Sequence, residues 1–270
     1  MFPFYFVKQV EQKNGWGYVF RTFDSLPIFT KSSITYDDLE CKTNWKIGLS
    51  LCSGCNVGCI YCFTNHLQKF RPLSVDEIVG QVEYILANHS PQKVDGTKIE
   101  MKEMGDPTQN SANVCESILR INSKREGLLF VVSTSGVKEP AFYEDLEKIR
   151  RNGPRIRLQF SCHTTDNTTR KKLSPRLNML TFEEISEIID DWYDGTERVT
   201  LNFVPFQTSE LSSEQVMKLF DPKKVFIKIS YVDQNRFTKA QGLIDATQSQ
   251  TREFYEGLIS RGFIGAYRHH

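Results

Sequence analysis

Long apolar runs are missing from this chain. Nothing in it approaches the roughly 20 residues needed to span a bilayer, and the longest comparable stretch runs only from Gly127 to Val132. A surplus of charge of one sign is missing too: 34 basic residues stand against 33 acidic ones, for a net charge of +1. A dedicated nucleic-acid binder usually shows a basic excess, so that class loses weight, although a local patch stays possible. The start, Met1 to Val7, is apolar but has no basic lead and no small-residue cleavage site, so it does not read as a secretory signal. Internal repeats and low-complexity linkers are absent as well. The expectation is a cytoplasmic protein without a membrane partner. In that compartment cysteines serve metals or catalysis more often than disulfides.

What is present is ordinary for a globular protein: 270 residues, 39% apolar and 25% charged, enough for a sizeable core. Aromatic and β-branched residues flank Asn14-Gly15 over residues 4–22, the pattern of a β-hairpin. From Lys46 short β-like runs alternate with helical patterns. Six core strands are expected, at Ile47–Leu51, Lys98–Glu103, Leu129–Thr134, Ile156–Cys162, Val199–Val204 and Val225–Tyr231. Ser74-Val-Asp-Glu77 and Thr181-Phe-Glu-Glu184 are capping boxes. Ser212 with Gln215 opens another helix, Gly153-Pro154 ends one over Glu144–Arg151, and a last helix covers about Thr251–Arg261. The expected fold class is α/β, a partial (β/α)6 TIM-type barrel over 46–270 behind an N-terminal β-hairpin and connection over 1–45.

Four of the seven cysteines fall in Cys52-Ser-Gly-Cys55-Asn-Val-Gly-Cys59-Ile-Tyr-Cys62. The spacing Cys55-x3-Cys59-x2-Cys62 puts three thiolates on one short loop after an expected strand. Three thiolates can hold three irons of a cubane cluster and leave the fourth iron open. The competing readings are a disulfide knot and a zinc site, which would need Cys52 or His66 as its fourth ligand. This spacing, with Tyr61 as the aromatic before the last cysteine, resembles the signature of the radical SAM superfamily from about Lys46 onward. The resemblance implies a [4Fe-4S] cluster on Cys55, Cys59 and Cys62, with S-adenosylmethionine (SAM) on the open iron and Tyr61 beside it. It also implies an electron donor such as flavodoxin or ferredoxin. The chemistry implied is reductive cleavage of SAM to methionine and a 5′-deoxyadenosyl radical, which takes hydrogen from an unactivated C–H bond. Cys52 is left over, on the preceding strand.

Further stretches narrow the resemblance. Glu103-Met-Gly-Asp-Pro107, Ser133-Thr-Ser-Gly-Val137 and Phe160-Ser-Cys-His-Thr164 each end an expected strand. After the last come Asp166, Arg170 and Lys172-Leu-Ser-Pro175, and Leu73-Ser-Val-Asp-Glu-Ile-Val-Gly-Gln81 opens a helix. In order and spacing these resemble the RlmN/Cfr group of radical SAM RNA adenine methylases, which carry GMGEP, STSGV and SLHA…LMP there. The resemblance implies that Gly105 and Asp106 meet the SAM amino group, Asp standing for the usual Glu. Ser133 would contact the carboxylate or ribose side, and Ser161 and His163 would line the SAM pocket. Strand alternation independently puts Arg157, Gln159, Ser161 and His163 on one face and Leu158, Phe160 and Cys162 on the other. The plainer alternative is that Ser161 and His163 only satisfy buried hydrogen bonds. Cys162 reads as a core thiol, and Cys41 and Cys115 as incidental. The alignment slips around Ile229-Ser-Tyr-Val-Asp-Gln-Asn235, so no SAM contact is assigned there.

The resemblance fails at telling places. The methylase group has a cysteine seven residues before the first cluster cysteine; here that position is Gly48. A second cysteine lies near the C-terminus of that group, whereas nothing after Cys162 is a cysteine here. The group's N-terminal RNA-binding domain would have to fit in about 45 residues. Cys52 cannot stand in for position 48, because four residues of strand move its sulfur about 13 Å. Three functions stay open. The first is a radical SAM enzyme that abstracts hydrogen directly from a small-molecule, nucleotide or peptide substrate, without methyl transfer. The second is an RNA adenine methyltransferase or other RNA-modifying enzyme with altered mechanism, RNA being possible but not favoured. The third is a non-catalytic SAM- or nucleotide-binding protein. Lys102, Asn202 and Lys228 could point inward toward a substrate. Arg261, Arg268, His269 and His270 could cap the barrel, and read rather as a frayed tail or tag remnant.

Overall fold

The structure, a computed structural model, describes residues 2–37, 41–67, 69–91, 93–232 and 234–267. Arg268, His269 and His270 lie outside the described residues. Contacts divide the chain into two compact units: Met1–Asn56, His66–Ser133 and Glu139–Ile156 in the first, and Val57–Asn65, Thr134–Lys138 and Arg157–His270 in the second.

The first unit carries β1 (Phe4–Gln12), β2 (Gly15–Thr22), β3 (Pro27–Asp37), β4 (Lys42–Leu49) and the two-residue pair β5 (Cys52–Ser53) and β6 (Arg71–Pro72). It continues through α1 (Val75–Asn88), β7 (Gly96–Met101), α2 (Ser111–Lys124), β8 (Leu128–Thr134) and α3 (Pro140–Arg151). The strand order is β1-β2-β3-β4-β7-β8, antiparallel as far as β4 and parallel from there. The expected hairpin is β1–β2, turning at Lys13-Asn14 with Gly15 as the first residue of β2. The stretch read as a connection holds an additional strand, β3, paired on both edges. Its Ser-Ser and Thr-Tyr content hides a regular alternation of Ile28, Thr30 and Ser32 against Phe29, Lys31 and Ser33.

One face of this sheet meets α1. Phe4, Tyr18, Phe20, Ile28, Ile47 and Leu49 are buried there, as are Ile78, Val82 and Ile85 of α1. Tyr84 on α1 makes ring contacts with Phe4, Phe6, Tyr18 and Phe20. Burying such side chains contributes about 1.5–3 kcal/mol each. The Ser74–Glu77 capping box is formed and starts α1 where expected.

The first core strand ends two residues early, at Leu49 rather than Leu51. Ser50 leaves the ladder because Gln81 takes it: its N–H donates to Gln81 Oε1, and its carbonyl accepts from Gln81 Nε2, both at 2.9 Å. Leu51 and Cys52 then both donate to the Met104 carbonyl, at 2.7 and 3.0 Å. Cys52 therefore lies on β5, not on the first core strand β4.

The second unit carries β9 (Arg155–Cys162, from Arg157 on), α4 (Asn167–Leu173), α5 (Phe182–Trp192), β10 (Val199–Phe203), α6 (Ser213–Leu219), β11 (Val225–Ile229), α7 (Arg236–Ala240), α8 (Gln248–Ile259) and β12 (Ile264–Tyr267). Its strands β9-β10-β11-β12 are all parallel and adjacent in chain order. The Thr181–Glu184 box forms as expected. The last helix starts at Gln248 instead of Thr251, on a Thr247–Gln250 capping box overlooked in the sequence. β12 was not expected: its four residues, centred on Gly265, carry little strand signal. Gly265 lies so close to β11 that a Cβ there would meet the Ile227 carbonyl oxygen at 2.4 Å.

Candidate functional site

In the first unit the Glu103-Met-Gly-Asp-Pro107 stretch leaves β7 and turns at Gly105, whose φ is +87°. A Cβ at Gly105 would also lie 2.7 Å from Cys52 Sγ, so the glycine is required twice, by conformation and by close approach. Cys52 is fully buried against it, and burial, with the Asp106 carboxylate second, pushes its thiol up to about 12. It is a protonated packing group. Asp106 caps the turn Pro107–Asn110, its Oδ1 accepting from Thr108 N at 3.1 Å and Thr108 Oγ1 at 2.8 Å. Asn110 Nδ2 donates to the carbonyls of Leu51 and Leu73, tying this loop to both strands at one end of the β5–β6 pair. Cys55 Sγ lies 3.6 Å from Gln109 Oε1, which also accepts from Asn56 N at 3.1 Å. Ser133 is buried near the end of β8. Lys102, expected on a strand, stands just past β7 and pairs with Glu100 at 2.7 Å.

The same unit explains Gly48. A Cβ there would fall 2.2 Å from Glu103 Oε1 and 2.9 Å from its Cγ and Cδ. With glycine at position 48, the Glu103 side chain lies in the space beside it, and a side chain there would require Glu103 to turn away.

In the second unit the loop Val57–Asn65 is held at four points. Gly58 has φ +80°, and a Cβ on it would overlap the Arg176 side chain. Ile60 N donates to the Leu173 carbonyl at 3.0 Å. Cys59 Sγ is buried, 3.1 Å from Ser174 Oγ and 4.0 Å from Ser135 Oγ. Burial raises the Cys59 thiol above its ordinary value, while the Ser174 hydrogen bond pulls the other way. Asn235 Nδ2 donates to the Tyr61 carbonyl at 3.2 Å. That asparagine lies in the stretch where the family pattern was lost, and its contact is to the loop.

Tyr61 and His163 form one unit. The Tyr61 hydroxyl lies 2.6 Å from His163 Nε2, and His163 Nδ1 lies 2.8 Å from the Val204 carbonyl. A carbonyl only accepts, so Nδ1 carries the proton and Nε2 accepts from Tyr61. Burial first, then the Arg170 charge, drives the imidazole down to about 4, so it is neutral. Phe206 stacks on His163 at 5.8 Å between ring centroids. Ser161 faces as the alternation required, half-buried between the fully buried Phe160 and Cys162. In the parallel register Ser161, Asn202 and Lys228 form one row across β9, β10 and β11. Asn202 Oδ1 accepts from Ser230 Oγ at 2.9 Å. Cys162 is a core thiol, raised to about 11 by burial.

Ser174, Ser135 and Arg170 stand inside sequence motifs without an evident role there, and Gln109 and Asn235 carry no sequence signal of their own. The available signal was the Lys172-Leu-Ser-Pro175 motif, whose serine reaches the Cys59 sulfur. Among the described residues, no three His, Cys, Asp or Glu side chains gather as around one metal ion. A cubane makes no such demand, since each cysteine takes a separate iron.

The radical SAM superfamily model matches residues 49–211. The chain belongs to the radical SAM superfamily. As in that superfamily it is an enzyme, its cofactors are a [4Fe-4S] cluster and SAM, and its α/β chain order is that of the radical SAM partial barrel. It is 27% identical over 232 residues to the probable dual-specificity RNA methyltransferase RlmN of Streptococcus suis (strain 98HAH33), covering 80% of this chain and 60% of that protein. It is 24% identical over 272 residues to the dual-specificity RNA methyltransferase RlmN of Wolinella succinogenes, covering 97% of this chain and 75% of the relative. A solved radical SAM methyltransferase from Sphaerobacter thermophilus superposes with a TM-score of 0.76 at 22% identity, over 99% of this chain and 77% of that one. No helix among the described residues is long and apolar enough to cross a membrane. Radical SAM chemistry also requires an electron donor and a substrate.

Proposed function

We propose that this radical SAM enzyme abstracts hydrogen directly from its substrate and does not carry a methyl group on its own thiols. Cys55, Cys59 and Cys62 are the cluster ligands in this reading. The donor set fits: none of these cysteines is in a disulfide, and the Cys59 sulfur has a hydroxyl beside it. When bound, cluster and SAM together supply a 5′-deoxyadenosyl radical. Gly105, Asp106, Ser133 and Ser161 are proposed as SAM contacts. His163 and Tyr61 act as a pair: neutral His163 fixes the Tyr61 hydroxyl and so the loop between Cys59 and Cys62. Flavodoxin or ferredoxin is the proposed class of electron donor.

One observation carries the absence of methyl transfer. Position 48 is a glycine with the Glu103 side chain lying beside it, and Cys52, four residues further on, is buried and protonated. A thiol that resolves a covalent adduct must be exposed and ionisable. The test is incubation of reconstituted protein with methyl-labelled SAM followed by mass spectrometry of the intact chain. No label on protein is expected; a methylated cysteine would overturn the proposal.

A small molecule, nucleotide or peptide is the proposed substrate. A second reading, RNA, has a specific observation in its favour, besides the relatives named as RNA methyltransferases. The register places Tyr5, Lys8, Arg21, Phe29, Lys31 and Lys46 on the sheet face opposite α1. The bulge between Phe6 and Lys8 brings Tyr5 and Lys8 to that same side. Phe29 lies across Gly17, where a Cβ would meet its ring at 2.8 Å. Cations interleaved with aromatic rings suit single-stranded nucleic acid. The pattern escapes the linear sequence because it runs across four strands.

A further inference from the structure

Arg170 is 5% exposed, and among the described residues no carboxylate pairs with it. Its Nη2 donates to the Ser135 carbonyl, its Nη1 approaches Cys162 Sγ at 3.9 Å, and its Nε has no acceptor. The guanidinium lies 5.1 Å from the Phe182 ring centroid. Gly136, with φ +78°, lets the backbone wrap the guanidinium, since a Cβ there would sit 2.3 Å from Nη2. A buried cation with no anion costs several kcal/mol and is retained where something else supplies the opposite charge.

The surroundings say what that is. Ser135, whose carbonyl Arg170 holds, has its hydroxyl 4.0 Å from Cys59 Sγ. Ser174 lies one turn after Arg170, and its N–H donates to the Arg170 carbonyl at 3.2 Å. Its hydroxyl is 3.1 Å from Cys59 Sγ. The Arg170 guanidinium thus holds the backbone of Ser135, Ser174 follows one helical turn later, and the two serine hydroxyls flank one cysteine sulfur.

We propose that Arg170 and Ser174 are positioning residues that raise the reduction potential at Cys59, resting on the reading of Cys59 as a cluster ligand. A cubane held by three thiolates is anionic, and a one-electron reduction adds another negative charge. The guanidinium and the Ser174 hydroxyl stabilise the reduced form more than the oxidised one, so the electron from the donor is accepted more readily. Hydrogen bonds to ligand sulfurs and nearby charge are established determinants of such potentials.

The test is a redox titration, followed by electron paramagnetic resonance, of reconstituted wild type, Ser174→Ala, Arg170→Lys and Arg170→Met. Iron and sulfide content per chain is measured alongside. The expected result is full cluster content with a midpoint potential shifted downward in Ser174→Ala and further downward in Arg170→Met, with Arg170→Lys between wild type and Met. If Arg170→Met does not fold, Ser174→Ala and Arg170→Lys carry the test. Unchanged potentials at full cluster content would overturn the proposal. Full cluster content in Cys59→Ala would instead remove the assignment of Cys59 beneath it, and the two failures are separable.

Discussion

Gly105 turns the strand-end loop at φ +87° with the Cys52 sulfur against its α-carbon. Substitution by alanine brings both left-handed backbone strain and a clash, with an expected loss of about 1–3 kcal/mol by urea unfolding. Cys52 fills the space over Gly105 and is held protonated. Cys52→Ala should therefore keep full iron and sulfide content while Cys55→Ala, Cys59→Ala and Cys62→Ala lose it; colorimetric iron and sulfide analysis decides. His163 gives a pH dependence. Its folded imidazole sits at about 4, below the ordinary value of about 6.5. The unfolded chain therefore binds the proton more tightly than the folded one. The stabilising contribution is complete above about pH 6.5 and is lost as pH falls toward about 4. Urea unfolding across that window should show stability falling on acidification, with a shallower fall in His163→Gln.

Among the elements, those with local chemistry were legible. Both capping boxes define their helices, and Ser74→Ala should cost about 1 kcal/mol in thermal or urea unfolding without changing iron content. The core strands β7 through β11 lie within about two residues of their expected bounds, because apolar runs between helices have few other uses. Elements defined by pairing were not legible. β3 is polar at many positions and is held by neighbours on both edges. β12 is four residues long and needs β11 to exist. The loop cysteines were recognisable from spacing alone. Their partners Ser174, Ser135, Gln109 and Asn235 were not, since each comes from a distant segment and its role is a matter of distance. Likewise a glycine at position 48 reads as a missing group, and only the fold reveals Glu103 lying across it.

For the molecule as a whole, balanced net charge coexists with a cationic, aromatic sheet face in the first unit. Overall charge is a poor guide to where a polyanion could bind, because it says nothing of how the charges are distributed. The central claim is that this chain cleaves SAM reductively. The most direct measurement is 5′-deoxyadenosine formed by reconstituted, dithionite-reduced protein supplied with SAM. The account predicts 5′-deoxyadenosine and methionine in equal amounts from wild type, and neither from Cys59→Ala. Product no higher from reconstituted wild type than from cluster-free protein would contradict it.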